Sequence, residues 1–367
     1  MVDFLNLKKI NAQYQDELKL ACENVITSGW YIQGDKLDQF EKKFLDWTGA
    51  RDCIGVGNGY DALRLTLRAW IELGRLEIGD EVVVQANTYI ASVLAITDCG
   101  LVPVFADPCE SSYNLKVKNI ERAATARTRV IIPVHLYGQI SPMKEICEWA
   151  DSNDILILED CAQAHGASVN DKKAGTWGDA GAFSFYPAKV LGALGDAGAV
   201  VTNDMSLSEV LRSLRNYGSS ERYIHERVGV NSRLDEIQAA MLCVKLDYID
   251  AEIAARRYVA EAYQKNIINP LVELPVCSKN EHHVWHLYVI KVGKRDLLQK
   301  HLSKNNIETL VHYPIPVHKQ QAYKTYAGIK LPVAERLAEM VISLPISPVM
   351  TDADVEQVIC AVNSYSE

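Results

Sequence analysis

The sequence predicts an α/β protein: a mainly parallel sheet covered by helices in a large domain, followed by a smaller α+β domain. Three observations predict it. From residue 81 onward, short apolar runs alternate with helical periodicity, the rhythm of βαβ units. The runs are continuous rather than alternating, as in Ile155-Leu156-Ile157-Leu158, which suits strands buried on both faces. A long helical pattern over 234–265 then leads into a shorter region of mixed strands and helices.

The elements follow in order. Tyr14, Leu18, Ala21, Val25 and Ile26 give 11–28 a helical face, and Ser28-Gly29 can end it because glycine tolerates the left-handed C-cap. Trp30 and Tyr31 follow, either as pocket-lining aromatics or as packing. Residues 35–47 form a second helix. Gly55-Val56-Gly57-Asn58-Gly59-Tyr60 then reads as a glycine-rich turn opening a helix through Leu63 and Leu67. Such a turn offers bare N–H groups and the positive end of a helix dipole, a seat for phosphate. Its spacing is GxGxG, not the GxGxxG of dinucleotide binders, and no Walker lysine follows. A purely structural turn is the competing reading.

Strands are expected at 81–84, 101–106, 130–134, 155–158, 181–186 and 198–202, with helices at 90–97 (capped or preceded by Thr88), 116–126 and 141–152. The last strand can return antiparallel, since Gly192-Ala193-Leu194-Gly195-Asp196 is too short for a helical crossover. The domain boundary falls near 250–270, before Pro270, giving residues 1–250 and 251–367. Beyond it the pattern predicts strands at 283–292 and 308–313 and helices at 296–305 and 333–342. Thr351-Asp352-Ala353-Asp354 opens a final helix with a capping-box start.

The 367 residues can bury a sizeable core without staples. A net charge of −9 argues against a nucleic-acid surface. The nine cysteines show no CxxC spacing, which suits reduced thiols in the cytoplasm. No signal peptide or bilayer-spanning run is expected. His282, His283 and His286 lack partners at metal-ligand spacing, so no metal is expected.

The chemical centre reads as Glu159 to Lys189. An apolar strand ends abruptly in Glu159-Asp160, at the carboxyl edge where open α/β sheets bind ligands. Phe183-Ser184-Phe185-Tyr186-Pro187-Ala188-Lys189 brings a serine and a lysine toward the same edge. An acid, a serine and a lysine there suggest pyridoxal phosphate: acid to ring nitrogen, lysine to Schiff base, serine to phosphate. A surface lysine in a loop and a capping aspartate are the plainer alternative.

Read together, the motifs resemble the sugar aminotransferases of the DegT/DnrJ/EryC/StrS group, which are pyridoxal-phosphate enzymes of fold type I. The resemblance covers nearly the whole chain. It is carried by Gly57-Asn58-Gly59-Tyr60-Asp61-Ala62-Leu63, Glu159 through Ala167, Phe183 through Lys189, Gly195 through Ala199, Asn216-Tyr217-Gly218, Asn231 through Ala240, and His312 through His318. It implies a seven-stranded sheet in the large domain. It also implies roles: Lys189 as Schiff-base lysine and proton carrier, Asp160 at the pyridine nitrogen, Gln163 on the ring face or 3-oxygen, and Tyr89 stacked on the ring. Ser184 and the backbone of Gly59 and Tyr60 would hold the phosphate. Many relatives carry Thr at the position of Tyr60, so only its backbone contact carries over. Asn231 would reach the phosphate of the other subunit, making the site one shared across a homodimer.

The remaining candidates face substrate. Tyr31, Tyr186, His312, Tyr313 and His318 are read this way, and Tyr223 and Arg233 (with Arg222) as contacts for a nucleotide diphosphate. His165 is read as supporting Asp160 or facing the cofactor, with a core histidine as the alternative. The implied reaction passes an amino group from L-glutamate, through pyridoxamine phosphate, to a nucleotide-linked keto sugar. The motifs around Asn58, Gly192 and Val284 look most like members acting at C3 of dTDP-3-keto-6-deoxyhexoses, which make amino sugars for surface polysaccharide or antibiotics. C4 members share most of them. A sugar dehydratase of this fold would replace Lys189 by histidine. A non-catalytic regulatory homologue would not need the intact set.

Overall fold

The computed structural model describes residues 1–366. Seven strands form the central sheet: β1 (Asp52–Val56), β2 (Glu81–Gln85), β3 (Val102–Ala106), β4 (Thr128–Ile132), β5 (Leu156–Asp160), β6 (Ala180–Ser184) and β7 (Gly198–Thr202). Their order is β1-β7-β6-β5-β4-β2-β3. β3, β2, β4, β5 and β6 run parallel, and β7 is antiparallel to both β6 and β1. The short loop before β7 therefore does reverse the chain.

The continuous apolar runs have their reason in the two cores. Val82, Val84, Ile132, Leu158 and Val200 belong to one buried cluster, while Val83, Ile131, Ile157 and Val201 belong to another. Successive side chains leave a strand on opposite faces, so a sheet covered on both sides needs apolar residues at every position. The second cluster is built around rings. Phe44 packs against Phe40, Phe183 and Phe185 with centroids 5.0–5.6 Å apart.

A third cluster joins Val259, Tyr263, Tyr288, Ile290, Leu298, Ile342 and Val358 with Val2 from the N-terminus. It surrounds an antiparallel sheet of β8 (Val272–Glu273), β9 (Tyr288–Val292) and β10 (Val341–Leu344).

Several elements differ from the sequence expectation. The pattern over 11–28 is two helices, Leu7–Ala12 and Gln15–Ser28, the latter ending at Gly29 with φ +66°. Gly55 and Val56 belong to β1 rather than to a turn; only Gly57 and Asn58 turn the chain. The expected helix over 234–265 breaks into Glu236–Leu246 and Ile249–Asn266. The first packs on the large core and the second crosses to the small one, with Ile249 and Ile253 in the former and Val259 and Tyr263 in the latter. One straight rod would not serve both faces. Residues 308–313 form no strand; Leu310 makes an isolated bridge to Ser343. His283 to Leu287 precede β9 instead of extending it. The helix Met205–Leu214 and the hairpin of Ser219–Glu221 with Ile224–His225 are additional.

Phe44→Ala removes a fully buried ring that touches four others, those of Phe40, Trp47, Phe183 and Phe185, and is expected to cost about 3–5 kcal/mol. A lower urea midpoint with an unchanged slope checks this.

Candidate active site

The carboxyl edge of the parallel strands opens into a cleft of about 510 Å³, within the ~300–1,000 Å³ usual for small-molecule sites. β5 delivers Asp160 into it. The side chain is buried and both oxygens are held. Ser92 Oγ donates to Oδ2 at 2.7 Å, and the Ala162 N–H donates to Oδ1 at 3.1 Å. Thr88 Oγ1 lies 3.0 Å from Ser92 Oγ. Ser92 has one proton and gives it to the carboxylate, so Thr88 is the donor in that pair.

Lys189 comes from the loop between β6 and β7 and lines the same cleft. Its ammonium makes no hydrogen bond or ion pair among the described residues. Burial pushes its pKa down to about 8, against the opposing pull of Asp160.

Gln163 is fixed at both ends of its amide. The Tyr137 N–H donates to Oε1 at 2.6 Å, which leaves Nε2 to donate to Tyr313 Oη at 3.1 Å. Tyr313 lies against Tyr89, ring centroids 5.5 Å apart. His312 Nδ1 is 2.8 Å from Ser343 Oγ, and its carbonyl accepts from the Tyr137 hydroxyl. Burial pushes His312 down to about 4, and pushes His286 well below the usual range, with Lys189 adding to both shifts. Both rings are therefore neutral at neutral pH.

Another part of the lining is a helix N-terminus with the chemistry to seat an anion. Gly59 opens the helix Gly59–Glu72, and Asn58 Oδ1 caps it by accepting from the Asp61 N–H at 2.8 Å. The amides of Gly59 and Tyr60 have no protein acceptor among the described residues, as expected for first-turn groups. A Cβ on Gly59 would lie 2.5 Å from Ser184 Cβ and 3.1 Å from Ser184 Oγ. Only glycine lets the helix terminus come this close to the serine at the end of β6. Tyr60 turns its hydroxyl to Asp98 and away from the seat. Burial, and then that carboxylate, push its pKa up to about 12.

An anion seat, a fixed carboxylate and a lysine with a lowered pKa thus share one cleft. Residues 12–363 match the DegT/DnrJ/EryC1/StrS aminotransferase family. The chain belongs to this family. This aminotransferase is 50% identical over 365 residues to the dTDP-3-amino-3,6-dideoxy-alpha-D-galactopyranose transaminase of Aneurinibacillus thermoaerophilus, covering 100% of this chain and 99% of the relative. Among solved structures it matches S. venezuelae DesV in complex with a ketimine intermediate, with TM-score 0.95 and 43% identity over 99% of this chain and 97% of that one. It also matches NtdA of Bacillus subtilis with bound cofactor PMP, at TM-score 0.90 and 30% identity over 98% and 83%.

In this aminotransferase the cleft brings together Gly59, Tyr60, Tyr89, Asp160, Gln163, Ser184, Tyr186, Lys189, His312 and Tyr313. Two expected contacts are corrected. His165 is fully buried between the rings of Phe183 and Phe185, at 5.5 and 5.6 Å, and makes no hydrogen bond to Asp160 among the described residues; Ser92 and the Ala162 N–H hold that carboxylate instead. His318 is fully buried against Phe105, with Nε2 3.2 Å from Glu335, and does not reach the cleft. Four more lie outside this chain's cleft. Tyr31 and Tyr223 are exposed, as is Asn231, which bridges Asn216. Arg233 lies over the Tyr217 ring.

Ser92, Thr88, Asn58, Asp196 and His286 line the cleft without having been singled out for it. Ser92 carried a readable signal, a lone hydroxyl in the apolar run Ile90-Ala91-Ser92-Val93-Leu94. His286 carried none beyond being a polar residue in an apolar run.

Because the folded pKa of Lys189 lies below its unfolded value of about 10.4, the unfolded chain holds a proton that the folded chain has released between those two values. Unfolding free energy therefore rises with pH across that window on account of this group. Lys189→Met is expected to flatten that part of the slope. Urea titrations of wild type and variant without added cofactor, at about pH 7.5 and about pH 9.5, measure it.

Proposed function

We propose that this aminotransferase uses pyridoxal 5'-phosphate to move an amino group from L-glutamate to C3 of a dTDP-linked 3-keto-6-deoxyhexose. The product is a dTDP-3-amino-3,6-dideoxyhexose. One observation carries the reading: the Lys189 amine and the Asp160 carboxylate share a cleft with the seat made by Gly59, Tyr60 and Ser184. The sugar and the C3 position are supported by 50% identity to a relative named for a 3-amino-3,6-dideoxy product.

The residues fit the cofactor. Two bare amides at a helix N-terminus and the Ser184 hydroxyl suit a phosphate dianion. Asp160 would lie at the ring nitrogen, and Gln163 and Tyr89 would flank the ring. When bound, the cofactor supplies the electron sink that stabilises charge on the amine-bearing carbon.

The protein supplies orientation and proton transfer. Ser92 and the Ala162 N–H hold the Asp160 carboxylate in a single direction, so its charge is presented without reorganisation. Lys189 Nζ, with a pKa of about 8, has about a tenth of its amine neutral at pH 7. That neutral amine can take a proton from the donor carbon and return it to the acceptor carbon. Neutral His286 and His312 leave Lys189 as the cation lining the cleft. Tyr186, exposed at the cleft mouth, and Tyr313 would position the sugar.

The same reading includes a cytoplasmic homodimer in which Asn231, Arg233, Tyr223 and Tyr31, outside this chain's cleft, serve the cleft of the second copy. It also includes a division at residue 250, with 1–250 holding the cofactor and 251–367 adding His286, His312 and Tyr313.

Lys189→Ala is expected to lose the visible absorbance of covalently held cofactor and at least ~100-fold in turnover; normal turnover would refute its role. Gly59→Ala is expected to weaken cofactor uptake at least ~10-fold, since its Cβ would collide with Ser184, and equilibrium dialysis measures this. NMR of the aminated product from a panel of keto sugars decides the regiochemistry: amination at C4 would overturn the C3 reading.

A further inference from the structure

Lys245 is a buried lysine that this chemistry does not use. It sits in the last turn of the helix Glu236–Leu246, 4% exposed, and makes no ion pair among the described residues. Its ammonium donates to one backbone carbonyl, that of Gly192. Burial pushes its pKa down to about 8 even though the Glu252 carboxylate favours the charged form, so an apolar side chain of similar length would pack there more cheaply. What the lysine adds is a fixed direction for that carbonyl.

Gly192 lies three residues after Lys189, in the loop that carries it. The chain doubles back so tightly that a Cβ on Gly192 would lie 2.3 Å from the Pro187 carbonyl oxygen. Holding Gly192 therefore holds Pro187 as well, and Lys189 lies between the two. The same helix reaches the loop a second time: Gln238 Oε1 accepts from the Leu194 N–H at 2.9 Å. Gln238 and Lys245 are seven residues apart, two turns of helix, and so share a face.

We propose that Lys245 and Gln238 are positioning residues that clamp the 187–194 loop and so set where the Lys189 amine lies in the cleft. The inference rests on the proposed function for its catalytic consequence, but the clamp itself can be tested without it.

Hydrogen exchange of the full-length protein with pyridoxal phosphate added, and again without it, tests the clamp. Lys245→Met and Gln238→Leu are each expected to speed exchange in peptides spanning 186–196 by at least ~10-fold, with the rest of the chain unchanged. The pH midpoint of the bound cofactor's absorbance is expected to move by at least ~0.5 unit, and kcat to fall ~10-fold with KM within ~2-fold. Lys245→Arg, which keeps a donor, is expected to move these readouts back toward wild type. Wild-type exchange and midpoint in both variants would overturn the clamp. Should Lys245→Met not fold, Gln238→Leu decides, and unchanged exchange there overturns it. Wild-type protein that takes up no cofactor would instead overturn the proposed function, leaving the exchange result to decide the clamp.

Discussion

Neighbouring side chains on a strand point to opposite faces of its sheet, and at the end of β5 this separates two carboxylates with different tasks. Asp160 faces the cleft. Glu159 faces the opposite core and is fully buried. Its oxygens accept from the Trp177, Gly178 and Gly175 amides at 2.7–2.8 Å and from His135 Nε2 at 2.8 Å. The Ser141 N–H donates to His135 Nδ1 at 3.1 Å, which places the ring proton on Nε2. Glu159, His135 and Cys161 are close enough to suggest a metal cluster, yet these hydrogen bonds already occupy both carboxylate oxygens. The bonds draw the 175–178 turn against β6, where a Cβ on Gly181 would meet Gly175 Cα at 2.4 Å. Ser184 lies at the end of that same strand. One buried carboxylate therefore sets the position of the sheet edge that the other uses.

The electrostatics of the cleft follow from burial. Two histidines that would carry charge near their ordinary pKa are kept neutral, and the lysine is brought into a range where it can gain and lose a proton. A second cation beside Lys189 would lower its pKa further, and a histidine titrating there would compete for its proton. Asp160 opposes this by favouring the charged amine. The result is an amine that is mostly protonated at neutral pH and holds its proton weakly enough to pass it on.

Much of the site was legible because its signals are local. Asp160 ends an apolar run, Ser184 ends another, Gly59 precedes a helical pattern, and Lys189 follows a proline in a loop. Each marks an element terminus, and the carboxyl ends of parallel strands converge. The histidines were not legible in this way. His165 and His318 carry the same side chain as His286 and His312, but the first two are enclosed by Phe183, Phe185 and Phe105, and the others open into the cleft. That difference arises from rings distant in the chain. Ser92 was hidden for a related reason: its partner Asp160 is 68 residues away.

By itself the sequence determined the alternation of strands and helices, the two-sided burial of the sheet and the identity of the groups at its edge. Periodicity and end signals are properties of short stretches, so they can be read without knowing the neighbours. The tertiary structure alone decided that the pattern over 234–265 breaks at Asp247-Tyr248, because one helix must face the large core and the next must cross to the small one. It alone decided which histidines line the cleft, and it brought Tyr313 onto Gln163, 150 residues away. Those outcomes depend on which surfaces exclude water together, and packing sets that only when the whole chain is assembled.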